Sequence, residues 1–245
     1  MKYLFLPLIL LSSVLSLAAQ TANLVTSQNS DLYQFGDKTV RIPPPVGFTD
    51  VTGRIEDDRN FFQRFDAEGE NLTYVRDELV SLLQANPKTP LGFYAKGWIP
   101  GNHRTNEITA QYFAQVVAVM ESGFATIVDP NSQIMIKAKK QAMAFSTKNL
   151  DPKASIDFKE TTNLGFIQKS DRVFSAMALL SAQINGQPFL SLTSFSVLRL
   201  NNRLVWVYCF APTPTEKDFE MLPKFTRTWT AAIIAANSKL TVLKK

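Results

Sequence analysis

Two short turns in the last third of the chain restrict the fold more than any other feature. Asn185-Gly186 and Asn201-Asn202 each separate two long apolar segments. Asparagine and glycine readily adopt the left-handed backbone that a two-residue hairpin turn requires. The sequence therefore predicts three consecutive antiparallel strands that form a meander.

The lengths of these turns also determine which residues lie opposite each other in the meander. The predicted pairs are Leu198 with Val205, Val197 with Trp206 and Phe195 with Tyr208, with Ser194 between Met177 and Cys209. One face then carries Phe189, Phe195, Val197, Leu204, Trp206, Tyr208 and Phe210. The other carries Met177, Leu179, Leu190, Leu192, Leu198, Val205, Val207 and Cys209.

Both faces of the meander are apolar, whereas a sheet with one wet face alternates apolar with polar residues. We therefore expect helices on both faces. The last helix has an apolar stripe of Phe219, Leu222, Phe225, Trp229, Ile233 and Ala236 despite Pro223. The predicted fold class is α+β, with a central antiparallel sheet that ends in a C-terminal three-strand meander, in an α/β/α sandwich.

The preceding part of the chain shows alternating strand and helix patterns. A short strand over 39–42 ends at three prolines, which we interpret as an ordered turn. Helical spacing of Leu72, Val75, Leu79 and Leu82 predicts a helix over 71–86. We expect a strand over 91–99 and a helix capped near Thr105. The segment 131–146 fits a third helix, while the β-branched residues at its start leave the assignment open.

The first residues have the features of a cleavable secretory signal. Lys2 precedes an apolar segment over 3–17, and small residues follow it. We expect cleavage near Ala18 or Ala19 and a periplasmic or secreted protein. The apolar segment is interrupted and shorter than the about 20 residues needed to span a bilayer, which disfavours an uncleaved anchor. The predicted organisation is a signal peptide over 1–19, a polar leader over 20–37, a single α+β domain over 38–238 and a basic tail over 239–245.

Cys209 is the only cysteine, so no disulfide forms within one chain. A catalytic thiol needs a lowered pKa and access to solvent. Cys209 is predicted to lie mid-strand among Ser194, Met177, Val207 and Ala211, where nothing stabilises a thiolate. We therefore interpret it as a small apolar core residue.

Composition and motifs exclude several classes of function. A formal net charge of +5 is too small for a nucleic-acid-binding surface. A single histidine and a single cysteine do not make the usual zinc or copper site. Motifs for a nucleophilic serine, for phosphate binding and for dinucleotide binding are missing from the sequence. We therefore predict no catalytic residue, no metal and no cofactor.

The segment GFYAKGWIPGNHR is the best candidate for binding. Strand geometry places Tyr94, Lys96 and Trp98 on one side, and the strand leads into a loop with His103 and Arg104. Aromatic rings beside hydrogen-bond donors suit sugar or peptide binding. A strand at the edge of the core explains the same pattern.

Three segments, VRIPPPVGF, NNRLVWVYCFAP and FTRTWTAAIIAAN, occur in an order that resembles uncharacterised secreted bacterial proteins. The order also resembles, more loosely, the α/β/α sandwich of the PsbP-like superfamily, which includes extrinsic photosystem subunits and envelope proteins. The resemblance implies a role in binding or assembly and transfers no site residue.

The sequence thus favours a non-catalytic binding or accessory protein of the cell envelope, whose partner is an envelope protein or a small ligand. One alternative is a hydrolase of an envelope polymer, which would require Asp57, Asp58, Glu68 or Asp77 to cluster in a cleft. Another is electrostatic attachment to anionic surfaces through Lys137, Lys139, Lys140, Lys244 and Lys245. We expect no nucleic-acid partner and no transmembrane span.

Overall fold

The computed structural model describes residues 31–52, 70–86, 89–101, 105–128, 136, 156–184 and 186–242. Nine strands and three helices lie in these ranges. In chain order they are β1 (Leu32–Phe35), β2 (Lys38–Arg41), β3 (Phe48–Asp50), β4 (Glu70–Arg76), α1 (Asp77–Ala85), β5 (Tyr94–Ile99), α2 (Ala110–Val128), β6 (Ile156–Lys169), β7 (Val173–Ile184), β8 (Gln187–Leu200), β9 (Arg203–Pro212) and α3 (Glu216–Val242).

Seven of the strands form one antiparallel sheet in the order β3-β4-β5-β9-β8-β7-β6, and β1 pairs with β2 in a separate hairpin. The predicted α+β class is confirmed. β5 and β9 are far apart in the sequence but adjacent in the sheet. Their pairing joins the strands of the first half of the chain to the C-terminal meander.

The predicted register of the meander is confirmed. Leu198 lies opposite Val205, Val197 opposite Trp206 and Phe195 opposite Tyr208, and Ser194 lies between Met177 and Cys209. Asn201 and Asn202 have φ values of 48° and 59°, which are those of the expected two-residue turn. Gly186 has a φ of 78°, while Asn185 lies outside the described residues.

A fourth long strand, β6, extends the meander and forms one edge of the sheet. β6 begins at Ile156 and precedes the three strands that the two turns predict. Its pairing with β7 is interrupted by three register shifts. Such bulges bend a strand and disfavour pairing with another chain at an exposed edge.

The helix predicted over 71–86 is wrong in its first half. Residues Glu70–Arg76 form β4, and only Asp77–Ala85 are helical. The run from Thr73 to Val75 contains β-branched and aromatic residues that suit a strand, and β4 is paired on both sides, with β3 and with β5. Pairing within the sheet thus outweighed the helical spacing of the leucines.

The second helix begins later than predicted. α2 starts at Ala110, and the hydroxyl of Thr109 accepts a hydrogen bond of 3.1 Å from the backbone N–H of Tyr112. Thr109, and not Thr105, is therefore the N-cap residue. The third predicted helix falls, apart from Ile136, outside the described residues.

The side chains on the two sides of the sheet belong to two separate apolar clusters. The first contains Leu204, Tyr208 and Phe210 of β9 together with residues of α1 and α2, among them Leu83, Phe113, Val117 and Met120. The second contains Val205, Val207 and Cys209 of β9 together with Leu222, Trp229 and Ile233 of α3. Both faces of β9 therefore contribute apolar side chains to the core.

The β1–β2 hairpin and the triproline turn pack against the second cluster. Phe35, Val40 and Ile42 are fully buried there. Residues 31–37, which the sequence analysis placed in the polar leader, therefore include a paired strand with a core residue. After the prolines, the backbone N–H of Phe48 donates to the carbonyl of Pro45, and Gly47 between them has a φ of 79°. Both features fit the ordered turn that was predicted.

Candidate functional site

β5 carries the three strand residues that the sequence marked for binding. Tyr94, Lys96 and Trp98 lie on the same side of β5, and each has a direct partner on β9. The pairs are Tyr94 with Phe210, Lys96 with Tyr208, and Trp98 with Trp206. We call these six residues the aromatic–lysine cluster. The sequence analysis assigned its β9 members to the core, and only the β5–β9 pairing brings the two sets together.

The rings of this cluster are arranged as two adjoining aromatic pairs. The centroids of Tyr94 and Phe210 are 4.8 Å apart with an interplanar angle of 22°. The indoles of Trp98 and Trp206 are 6.3 Å apart at 35°. Lys96 and Tyr208 occupy the row of the sheet between the two pairs. The side chains of Lys96 and Tyr208 thus leave the sheet between the two aromatic pairs.

All three residues marked on β5 are buried. Tyr94 and Lys96 are each 1% exposed, and Trp98 is 5% exposed. This burial follows from the central place of β5 in the sheet, between β4 and β9. The cluster is thus part of the interior. A ligand binds there only by displacing the side chains that pack over this face.

Tyr208 is the most unusual member of the cluster. It is 1% exposed, and within the described part of the chain its hydroxyl makes no hydrogen bond. Burial raises its pKa well above the usual value, so the hydroxyl remains protonated and is a donor at neutral pH. A buried hydroxyl without an acceptor is unfavourable by about 1–3 kcal/mol. Such a group in a native structure calls for an explanation, such as a function, strain, or a bound water or ion.

The polar character of the face continues onto β4. Thr73 lies opposite Lys96, and Asn71 lies opposite Trp98. The Oδ1 atom of Asn71 is buried and makes no hydrogen bond to any residue that the structure describes. Polar groups on three neighbouring strands therefore converge around Lys96.

Replacing Tyr208 with phenylalanine is expected to raise the free energy of unfolding by about 1–2 kcal/mol, because the variant loses a buried donor that has no acceptor among the described residues. Urea unfolding followed by tryptophan fluorescence measures the change. Tyr74→Phe is the matched control, since the Tyr74 hydroxyl donates to the carbonyl of Ile42 at 3.2 Å. That variant should lose about 1 kcal/mol. Equal destabilisation by both substitutions would contradict the interpretation of Tyr208.

Two of the marked residues, His103 and Arg104, lie outside the described residues. The chain described on either side of them is close to the sheet: Ile99 ends β5, and the backbone N–H of Ile108 donates to the carbonyl of Asn202 at 2.8 Å. The structure therefore groups Tyr94, Lys96 and Trp98 and leaves the other two as sequence predictions.

Cys209 lies on the opposite face of β9 from Tyr208. It is 1% exposed, and the hydroxyl of Thr226 donates to its sulfur at 3.9 Å. Desolvation is the main reason that the pKa of the thiol is raised to about 12, while hydrogen bonding to Ser194 and Thr226 acts in the other direction. The prediction that Cys209 is a buried core residue is confirmed.

The native protein is expected to resist alkylation of Cys209. With a pKa of about 12, only about one thiol in ten thousand is ionised near pH 8, and the thiolate is the reactive form. Intact mass after iodoacetamide treatment should show no adduct in native buffer and one adduct in concentrated guanidinium chloride. Val46→Cys is the control, because Val46 is 92% exposed and should gain one adduct in the native state. Rapid native labelling of the unaltered chain would refute a buried thiol.

The residues of the two alternative functions are mostly outside the described ranges. Asp57, Asp58 and Glu68 are not described, and Asp77 is an exposed residue at the start of α1 whose carboxylate accepts a hydrogen bond from Thr49. The lysines of the proposed anionic-surface contact, Lys137, Lys139, Lys140, Lys244 and Lys245, are also not described. Over the described ranges, no group of histidine, cysteine or carboxylate side chains is arranged to hold a metal ion.

Comparison with known proteins adds no relative. No protein-family model matches the chain, and no curated protein matches it significantly in sequence.

Proposed function

We propose that this chain is a non-catalytic binding or accessory protein of the cell envelope, and that the aromatic–lysine cluster is its binding site. The observation that carries the proposal is the Tyr208 hydroxyl, buried without an acceptor among the described residues, directly opposite a buried lysine. Core packing alone gives no reason for this hydroxyl. A bound molecule that supplies an oxygen acceptor gives a reason for it.

The proposed fold follows from the two apolar clusters on the two sides of the sheet. α1 and α2 contribute side chains to one cluster, and α3 contributes to the other. We propose on this basis an α/β/α sandwich, comparable with the PsbP-like superfamily. In such an arrangement, a site on the sheet face under α2 lies between two layers. Ligand sites often occur at such interfaces between structural elements.

The proposed location rests on the sequence of residues 1–19, which lie outside the described residues. Lys2 and the apolar run after it support export and cleavage near Ala18 or Ala19. Among the helices in the described ranges, none is both long and apolar enough to cross a membrane. A periplasmic or secreted location is consistent with a role in the envelope.

Native mass spectrometry of the protein, purified gently from its own host, tests the proposed function. We expect a mass excess that disappears on denaturation and that corresponds to a bound molecule or partner. The control is the Lys96→Met variant purified in the same way, which should carry less of the bound molecule. A bare monomer mass for the unaltered protein, together with no complex in envelope extracts, would overturn the proposal.

A further inference from the structure

We infer that two copies of this chain exchange α3, so that the helix of each copy packs on the sheet of the other. The inference goes beyond the proposed function and concerns how the chain associates with itself. It follows from a strained residue before α3, from the short connection that contains this residue, and from the contacts that hold the helix on the sheet.

The strain lies at Thr213, between β9 and α3. Its φ is 50°, in the left-handed region that a β-branched residue rarely adopts. Pro214 follows, and a residue before proline favours extended backbone. Among the described residues, the other non-glycine residues with a positive φ are Asn201 and Asn202, and asparagine tolerates this region. The conformation of Thr213 therefore destabilises a chain whose α3 packs on its own sheet.

The connection before α3 is short and held by hydrogen bonds. β9 ends at Pro212 and α3 begins at Glu216, so the chain turns back onto the sheet within residues 213–215. The backbone N–H of Thr213 donates to the carbonyl of Leu190 at 2.8 Å, and its hydroxyl donates to the carbonyl of Pro212 at 2.7 Å. The turn thus has no spare length through which the strain at Thr213 could relax.

Exchange of α3 between two copies removes this turn. When residues 213–215 extend, Thr213 returns to the backbone region that Pro214 favours, and α3 reaches the sheet of a second copy. The contacts between α3 and the sheet form again, now between chains, so the connection decides the balance between monomer and dimer. Short connections under strain favour such an exchange, and each dimer relieves the strain at two positions.

The contacts beneath α3 specify a second copy as the partner. The hydroxyl oxygens of Ser194 and Thr226 are 2.6 Å apart in the interior. Near the other end of the helix, the side chain of Asn237 accepts from the backbone N–H of Arg41 and donates to its carbonyl. The same helix from another copy supplies these groups at the same spacing. The exchanged helix therefore keeps every contact that the closed chain makes here.

The first test identifies which chain each helix packs on. The variant combines Ser194→Cys and Thr226→Cys, whose hydroxyl oxygens are close enough for a disulfide to replace them, with Cys209→Ala to remove the neighbouring thiol. It is refolded from guanidinium chloride at increasing protein concentration, oxidised, and separated by size-exclusion chromatography with light scattering. Non-reducing electrophoresis of each peak then shows which chains are joined.

We expect a dimer whose fraction rises with concentration and whose chains are joined by disulfides, while the monomer peak contains single chains. A dimer that contains disulfides only within each chain associates through another surface and overturns the inference. A monomer at every concentration overturns it as well.

Variants of Thr213 test the role of the strain and decide the matter even if the cysteine variant does not fold. Thr213→Gly should weaken dimer formation by about tenfold or more, because glycine adopts a positive φ without strain and the dimer contains two such positions. Thr213→Val is the matched control: valine keeps the β-branched shape and should form the dimer at least as strongly as the unaltered chain. Equal dimerisation of the two variants, measured by sedimentation equilibrium after refolding, would overturn the inference.

Discussion

Replacing Trp229 with alanine is expected to lower the free energy of unfolding by about 3–5 kcal/mol, the range found for large aromatic side chains removed from protein cores. Trp229 is 2% exposed and lies on the face of α3 that packs against the sheet. Its ring contacts Tyr74 edge-to-face at 5.5 Å. Its indole N–H donates to the carbonyl of Pro43 at 2.9 Å.

The effect is large because Trp229 joins three parts of the chain. The substitution leaves a cavity between α3 and β4 and removes the hydrogen bond that holds the start of the triproline turn. Urea unfolding at equilibrium measures the loss. Trp229→Phe should lose less, since a phenyl ring refills part of the cavity, although the hydrogen bond to Pro43 is still lost.

Phe219→Ala provides the control on the same helix. Phe219 belongs to the apolar stripe predicted for α3 but is 37% exposed, so its removal should destabilise by less than about 1 kcal/mol. A similar loss for both alanine variants would show that α3 does not pack on the sheet through the face that contains Trp229.

Replacing Arg203 with alanine is expected to destabilise the protein by about 3 kcal/mol, since several buried hydrogen bonds lose their donor together. Arg203 is 3% exposed at the start of β9. Its guanidinium donates to the carbonyls of Phe35 and Asn106, each at 3.3 Å, and to the carboxylate of Asp37 at 2.7 Å. It therefore holds the β1–β2 hairpin and the segment before α2 against the sheet.

Most of this effect should come from the carbonyl groups and little from the ion pair, because the Asp37 side chain is 71% exposed and exposed ion pairs contribute little. Urea unfolding gives the total change. Hydrogen exchange of the β1 and β2 amides gives its location, and we expect faster exchange there. Arg203→Lys should be intermediate, since lysine keeps the charge but lacks the planar fork of donors.

Arg199→Ala is the control for loss of a nearby arginine. Arg199 lies in β8 and donates to the side chain of Asn202 at 3.0 Å in a less buried setting, so its loss should cost less than about 1 kcal/mol. If Arg203→Ala were no more destabilising than Arg199→Ala, the hairpin would not depend on the guanidinium group.

Part of the candidate site could be predicted from the sequence. The alternation along a strand places Tyr94, Lys96 and Trp98 on one side, whatever the strand pairs with. Tyr208 could not be assigned to the site in this way, because a tyrosine in an apolar strand is interpreted as a core residue. The informative signal is a tyrosine hydroxyl without an acceptor among the described residues, opposite a buried lysine, and it emerges only when β5 pairs with β9.

The error over 71–86 has a similar cause. Leu72, Val75, Leu79 and Leu82 fit a helical repeat, yet in the structure Leu72 and Val75 point to opposite faces of the sheet and belong to different apolar clusters. Leu82 is 53% exposed. The helical repeat was therefore coincidental, and the strand forms because neighbouring strands satisfy its backbone hydrogen bonds on both sides.

The sequence by itself determined the C-terminal meander, including which residues lie opposite each other and which share a face. Two-residue turns are local, and a turn of fixed length together with a side-chain period of two leaves a single register. The tertiary structure alone decided that β5 lies against β9, that β4 is a strand and that Arg203 holds the β1–β2 hairpin. No turn connects these segments, so their pairing depends on which surfaces fit together once the whole chain is packed.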